Sequence, residues 1–232
     1  SGDVVIGLDA PDDAAVLRPP EGKLLVQTVD FFRAFVEDPY LFGRIAAVHA
    51  LGDLHAMGAT PRSALAIATV PHGPDDKIED TLYQMMAGAL SIFRSEGVAL
   101  VGGHSAEGGE TALGFSLEGV ADEGRLLRKG TLSAGDALVL TKPLGTGVLF
   151  AADMRRLAQG RWIDAALTSM QRSSRESAEI VIRHGATACT DVTGFGLAGH
   201  LWEMLKPKGL AAEIDLLAIP VLDGAIELTA AG

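Results

Sequence analysis

Residues 190–200 read TDVTGFGLAGH, and what their glycines do decides which α/β fold the chain can adopt. Gly194, Gly196 and Gly199 have the spacing G-x-G-x-x-G, the fingerprint of a turn that holds a dinucleotide pyrophosphate. Asp215 follows Gly194 by 21 positions, near the interval at which such folds grip a ribose. Two features oppose that reading. Only 38 residues follow Gly194, too few for the rest of a dinucleotide-binding sheet. Asp191 also stands just ahead of the turn, where its carboxylate repels pyrophosphate unless a cation lies between. NAD and FAD are therefore set aside.

Upstream, the chain alternates strand-like and helix-like segments. Residues 23–32 (KLLVQTVDFF) read as a buried strand, with Leu24, Leu25, Val26 and Val29 as its apolar side chains. Residues 37–59 read as a helix, with Asp38 as N-cap, Pro39 in the first turn and Gly58 as the stop. A short strand is expected at 64–70. A second helix follows at 75–97, with Ile78, Leu82, Met85, Ala89 and Ile92 in one apolar stripe. Residues 98–104 read as a strand entering a glycine turn, VGGHSAEGGE (101–110). In 112–120, Leu113, Phe115 and Leu117 face one way, and Ser116 and Glu118 the other. The polar stretch 121–136 is the expected domain boundary. Beyond it, 137–147 reads as a strand and glycine turn, strands are expected at 187–189 and 211–216, and helices near 147–158, 163–184 and 197–206. The class is α/β or α+β.

Composition bounds the function. Of 232 residues, 48% are hydrophobic and 21% charged, an ordinary globular balance. Nineteen basic against 30 acidic residues give a net charge of −11. That argues against a general nucleic-acid or membrane-surface binder, which needs a basic footprint. A bridging cation still allows a nucleotide triphosphate. Cys189 is the single cysteine, so neither a disulfide within the chain nor a Cys-based metal cluster can form, and a cytoplasmic setting fits. No apolar run approaches 18 residues, and no signal peptide is visible. The abrupt start, SGDVVIGLDAPDD, reads as the interior of a domain. No Walker A loop or H-E-x-x-H motif is present.

Four aspartates stand where a purely structural role is awkward. Asp13 follows Asp12 just before a small apolar run. Asp30 lies between an apolar strand and two phenylalanines. Asp53 sits inside a helix of small apolar residues, one turn after His49. Asp191 opens the glycine segment. Buried carboxylates need a partner or a metal, and magnesium prefers oxygen ligands shared with substrate phosphates. Each aspartate also has a local reading: a turn or N-cap for Asp13, a strand-end backbone bond for Asp30, pairing with Arg44 or Arg62 for Asp53, an Asx-turn for Asp191. The backbone N–H groups around Gly103, with His104 and Ser105, could hold phosphate oxygens or belong to an ordinary loop.

In order along the chain, DDAAVL (12–17), LVQTVDFFRAFVEDPYLFGRIAAVHALGDLHAMGATPRSALAI (25–67), LVGGHS (100–105), LTKPLGTGVL (140–149) and TDVTGFGLAGHL (190–201) resemble the selenophosphate synthetase (selenide, water dikinase) family. That family belongs to the superfamily of thiamine-monophosphate kinase and aminoimidazole ribonucleotide synthetase. The resemblance implies an enzyme that converts ATP, selenide and water to selenophosphate, phosphate and AMP with Mg2+. It implies magnesium ligands at Asp13, Asp53 and Asp191. It implies ATP contacts at Ala10, Pro11, Asp12, Asp30 and Asp53, with Gly103, His104 and Ser105 contributed across a homodimer. The fold it implies is α/β plus α+β. An N-terminal ATP/Mg-binding and dimerisation domain spans 1–124, its sheet pairing with that of a partner subunit. An incomplete C-terminal α+β domain spans 125–232. On this reading the glycines after Asp191 form a turn that supports a metal ligand.

Three departures matter. The family's reactive Cys or selenocysteine and its Lys precede the DDAAVL element, and this chain has no residues there, so no catalytic residue is assigned. Cys189 does not match that position and reads as a small buried apolar side chain. His49 stands where an asparagine is common, and Ala10–Pro11 precede Asp12 where the family often has a polar residue. A thiamine-monophosphate kinase-like enzyme and a non-catalytic nucleotide-binding or dimerisation module of a fusion protein are the alternatives.

Overall fold

The computed structural model describes Val4–Ile6, Val16–Leu17 and residues 20–231. Ala10, Pro11, Asp12 and Asp13 lie outside the described residues. The chain divides into two units, one reaching to Leu127 and including Ser173–His184, the other formed by Arg128–Arg172 and the residues from Gly185 onward.

In the first unit, β1 (Val4–Ile6) pairs antiparallel with β2 (Val16–Leu17). Then come β3 (Leu24–Arg33), α1 (Pro39–Ala56), β4 (Thr60–Pro71), α2 (Asp75–Glu96), β5 (Ala99–Gly108) and β6 (Ala112–Ala121). The last four strands form one sheet in the order β3-β6-β4-β5, with only β4 and β5 parallel. α2 makes the crossover between those two, as a parallel pair requires. α1 lies over β3 and β6, and α2 over β4 and β5.

The helix boundaries follow local chemistry. Asp38 Oδ1 accepts the Leu41 N–H at 2.9 Å, and Gly58, at φ 70°, carries the chain away after Met57. α1 and α2 touch through glycines. A Cβ on Gly43 would lie 2.0 Å from the Met85 carbonyl oxygen, and one on Gly88 2.0 Å from that of Tyr40. Phe42, Leu51, Leu54, Met85, Phe93, Phe115 and Leu117 fill the layer between helices and sheet. The Phe93 and Phe115 rings meet edge to face at 4.9 Å.

The structure corrects two readings here. β3 is not buried: Val26 and Phe32 pack toward the helices, but Leu25, Val29 and Phe31 are exposed, Val29 by 61% and Phe31 by 51%. The pleat sends alternate side chains to a sheet face that no helix among the described residues of this unit covers. The glycines at 102–103 are not a turn either. β5 runs on to Gly108, and a Cβ on Gly103 would come within 2.4 Å of the Ala66 carbonyl oxygen on β4. Close strand approach requires that glycine.

The expected helix at 163–184 is two helices, α4 (Gly160–Met170) and α5 (Arg175–Arg183). Ser173 Oγ accepts the Arg175 N–H at 3.1 Å, a local bond that competes with helix continuation. α5 belongs to the first unit. The second unit holds α3 (Thr146–Met154), α4, α6 (Gly196–Leu205) and α7 (Ala225–Ala231). One small core joins Leu132, Leu201 and Leu205, and another Leu149, Ala166 and Ala225. None of the strands expected at 137–147, 187–189 and 211–216 is present among the described residues. A single bridge, Leu144 to Val221, stands in that region. An apolar run becomes a strand only beside another that completes its hydrogen bonds.

Candidate functional site

The helix-facing side of β3 carries Val26, Thr28, Asp30 and Phe32 in alternation, and α1 crosses it. The Thr28 hydroxyl donates to Asp53 Oδ2 at 2.6 Å. One turn back along α1, the His49 ring meets Phe32 edge to face at 4.6 Å. Asp30 lies between these two contacts on the same strand face. Two carboxylates, a hydroxyl and an imidazole are thus gathered between one strand and one helix, all partly buried. Arg44, from the same helix, donates to Ser91 Oγ at 2.6 Å. Thr28 was not singled out from sequence. The available signal was the alternation, which puts Thr28 on the face of Asp30.

Gly103, His104 and Ser105 are elsewhere on the sheet. Asp30 pairs with Phe115, Phe115 with Ala66, and Ala66 with Gly103, so Asp30 and Gly103 end the same row at opposite edges. Three interstrand steps separate them by about 14 Å. His104 and Ser105 are exposed. Within one chain, these residues do not meet the Asp30–Asp53 cluster.

In the second unit, Asp191 is partly buried in the loop before α6. The carbonyl of Thr193 accepts the Gly196 N–H at 3.0 Å, closing a turn that Gly196, at φ 66°, makes possible. No strand precedes this turn among the described residues, so the strand–turn–helix context of a dinucleotide site is missing. His200, buried in α6, contacts the Thr193 hydroxyl at 3.1 Å. Burial, and then the charge of Asp191, push the Cys189 thiol above its ordinary pKa, the state of an unreactive cysteine. The Lys142 ammonium donates to the Arg172 carbonyl, and burial followed by the nearby Arg172 charge lower its pKa.

Residues 11–121 match the AIR synthase related protein, N-terminal domain, and residues 133–230 the AIR synthase related protein, C-terminal domain. The chain belongs to the AIR synthase related family. Within it, the chain is similar to the selenide, water dikinase of Geobacter metallireducens, at 41% identity over 231 residues, which cover 99% of this chain and 66% of that protein. The chain spans about two thirds of the length of the curated relatives it matches. Among solved structures, thiamine-monophosphate kinase from Stenotrophomonas maltophilia superposes with a TM-score of 0.81 at 22% identity, covering 95% of this chain and 72% of that one. Hydrogenase maturation protein HypE, solved in complex with ATP, superposes with a TM-score of 0.78 at 20% identity, covering 94% and 66%. At these identities the likeness is one of fold, the two-domain α/β plus α+β fold of the family.

Proposed function

We propose that this chain is the nucleotide-handling part of a selenide, water dikinase, which makes selenophosphate, phosphate and AMP from ATP, selenide and water. The observation that carries the reading is the Thr28–Asp30–Asp53 cluster, in a chain 41% identical to a protein of that name. A related fold binds ATP in HypE.

The donor set suits magnesium. Asp53 offers a hard carboxylate whose second oxygen is fixed by Thr28, an arrangement that orients a metal ligand. Among the described residues, no three His, Cys, Asp or Glu side chains converge as a metal cage. Magnesium commonly needs only one or two carboxylates besides substrate phosphates. Asp53, with Asp13 and Asp191, would hold the ion, and it would neutralise the phosphates and align them for attack. In this reading Thr28 holds the Asp53 carboxylate in one rotamer, and Asp30 positions the nucleotide beside it. Ala10, Pro11 and Asp12 complete the nucleotide's surroundings.

The open sheet face supports a homodimer. Leu25, Val29, Phe31, Leu65 and Ile67 expose apolar surface there, with Phe31, Ile67 and His104 in one row. Covering it with a second copy about a two-fold axis parallel to the strands opposes one subunit's β5 edge to the other's β3 edge. Gly103, His104 and Ser105 of one copy then approach the Asp30–Asp53 cluster of the other. Among the described residues no helix is long and apolar enough to cross a membrane, and we assign the enzyme to the cytoplasm.

Phosphorus-31 NMR with ATP, magnesium and selenide under anaerobic conditions tests the reaction. The family's Cys and Lys segment is not among these residues, so turnover by this chain should be poor; what selenophosphate and AMP form should appear together, and Asp53→Asn should abolish both. ADP as sole product would replace this reading with a kinase resembling thiamine-monophosphate kinase.

A further inference from the structure

We propose that His200 is a positioning residue for Asp191: through the Thr193 hydroxyl it holds the 191–196 loop in the turn from which Asp191 acts. This role rests on the reading of Asp191 as a magnesium ligand.

Thr193 ties the loop twice. Its carbonyl accepts the Gly196 N–H at 3.0 Å, which closes the turn. Its hydroxyl contacts His200 Nε2 at 3.1 Å, which fastens the turn to the second turn of α6. The segment has little stiffness of its own. Gly194 and Gly196 lose more backbone freedom on ordering than other residues would. α6 also begins with no side chain capping its first N–H groups. Phe195 folds back along the helix, so close that a Cβ on Gly199 would stand 2.7 Å from the Phe195 Cβ, and its ring lies 5.6 Å from that of His200.

His200 is a fixed point for this tether. Its side chain is 6% exposed, on a helix whose Leu201 and Leu205 enter a core with Leu132. The second ring nitrogen, Nδ1, is buried without a hydrogen-bond partner among the described residues and faces Glu203 Oε2 at 3.7 Å, one turn along α6. Lys129 Nζ donates to that same carboxylate oxygen at 2.7 Å. A carboxylate so placed favours the imidazole tautomer with its proton on Nδ1, which leaves Nε2 to accept the Thr193 hydroxyl proton. If the loop moved away, Nε2 would be left as a buried acceptor without a donor, and that cost keeps the loop in place.

Mn2+ takes the same oxygen ligands as magnesium, and the loss of its free-ion electron paramagnetic resonance signal on titration with the full chain tests this without turnover. Asp191→Asn should weaken Mn2+ uptake. Thr193→Val keeps the shape of the side chain and removes the hydroxyl, and should weaken uptake by about tenfold, the lower end of what losing an outer partner does to a metal site. Thr193→Ser should restore it, since only the hydroxyl is required. His200→Gln, which can place an acceptor near the position of Nε2, should bind Mn2+ better than His200→Ala. The Thr193 pair carries the test if the His200 variants do not fold. Nitrogen-15 NMR of the ring should show Nδ1 protonated and Nε2 bare. Uptake weakened by Asp191→Asn but not by Thr193→Val would remove the positioning role and leave the ligand. Uptake unchanged in Asp191→Asn, or absent from the parent chain, would remove the ligand and the positioning role with it. Thr193→Ser behaving like Thr193→Val, or a proton found on Nε2, would also overturn the proposal.

Discussion

Cys189 shows how far a single residue's chemistry depends on its surroundings. Away from the family's reactive position, it reads from sequence as a small buried apolar side chain. Burial and the neighbouring Asp191 carboxylate raise its pKa, so its thiolate appears only at a higher pH than in a free thiol. Alkylation by iodoacetamide at pH 7.5 should therefore be slower than for free cysteine, with the midpoint of its pH–rate profile above about 8.5. Asp191→Asn should move that midpoint down. A midpoint at or below the free-thiol value would remove the argument. The carboxylates divide differently. Asp53 and Asp191 stood out because a charged side chain among small apolar residues needs a reason. Thr28 did not, because a strand threonine is unremarkable until the helix crossing it is known.

Whole elements were most legible where their ends carry chemistry. α1 was framed by Asp38, Pro39 and Gly58, and α2 by its apolar stripe and Gly97, which takes φ 73° as its C-cap. Gly43 and Gly88 were ordinary letters until the two helices crossed. Each sits where any side chain meets backbone of the opposite helix. Gly43→Ala or Gly88→Ala should lower stability by about 3 kcal/mol, at the upper end of what overpacking a core does. Urea denaturation measures it, and a loss under about 1 kcal/mol would mean that the helices part at little cost. Elements were misread where their existence depends on a neighbour. Residues 137–147 have strand composition but make only one bridge. At 163–184 the helical pattern runs through Ser173, whose hydroxyl accepts a backbone N–H and breaks it.

At the scale of the whole molecule, the open face of the four-stranded sheet is the largest feature that sequence periodicity misassigned. The apolar residues of 23–32 read as a buried strand. In the chain alone it is half covered, and Val29 and Phe31 face outward. If that surface is the proposed homodimer contact, Phe31→Asp should shift the molar mass toward the monomer in light scattering and leave the far-ultraviolet circular dichroism unchanged. The side chain lies on no buried core of its own unit, so the fold should tolerate the change. A variant with the same mass as the parent chain would place any self-association elsewhere.

The sequence by itself determined α1, α2 and the four strands of the main sheet, the caps of those helices and the family, and it singled out the aspartates proposed as ligands, because these rest on local periodicity, backbone conformation and the types of side chain needed at each position. Only the tertiary structure decided which of those residues meet. Thr28 reaches Asp53 because α1 crosses β3, Gly103 ends up a full sheet width from Asp30 because strand order is β3-β6-β4-β5, and His55 meets Glu96 because two helices end side by side. Strand order and helix crossing are set by packing between segments distant in the chain, and no local pattern encodes them.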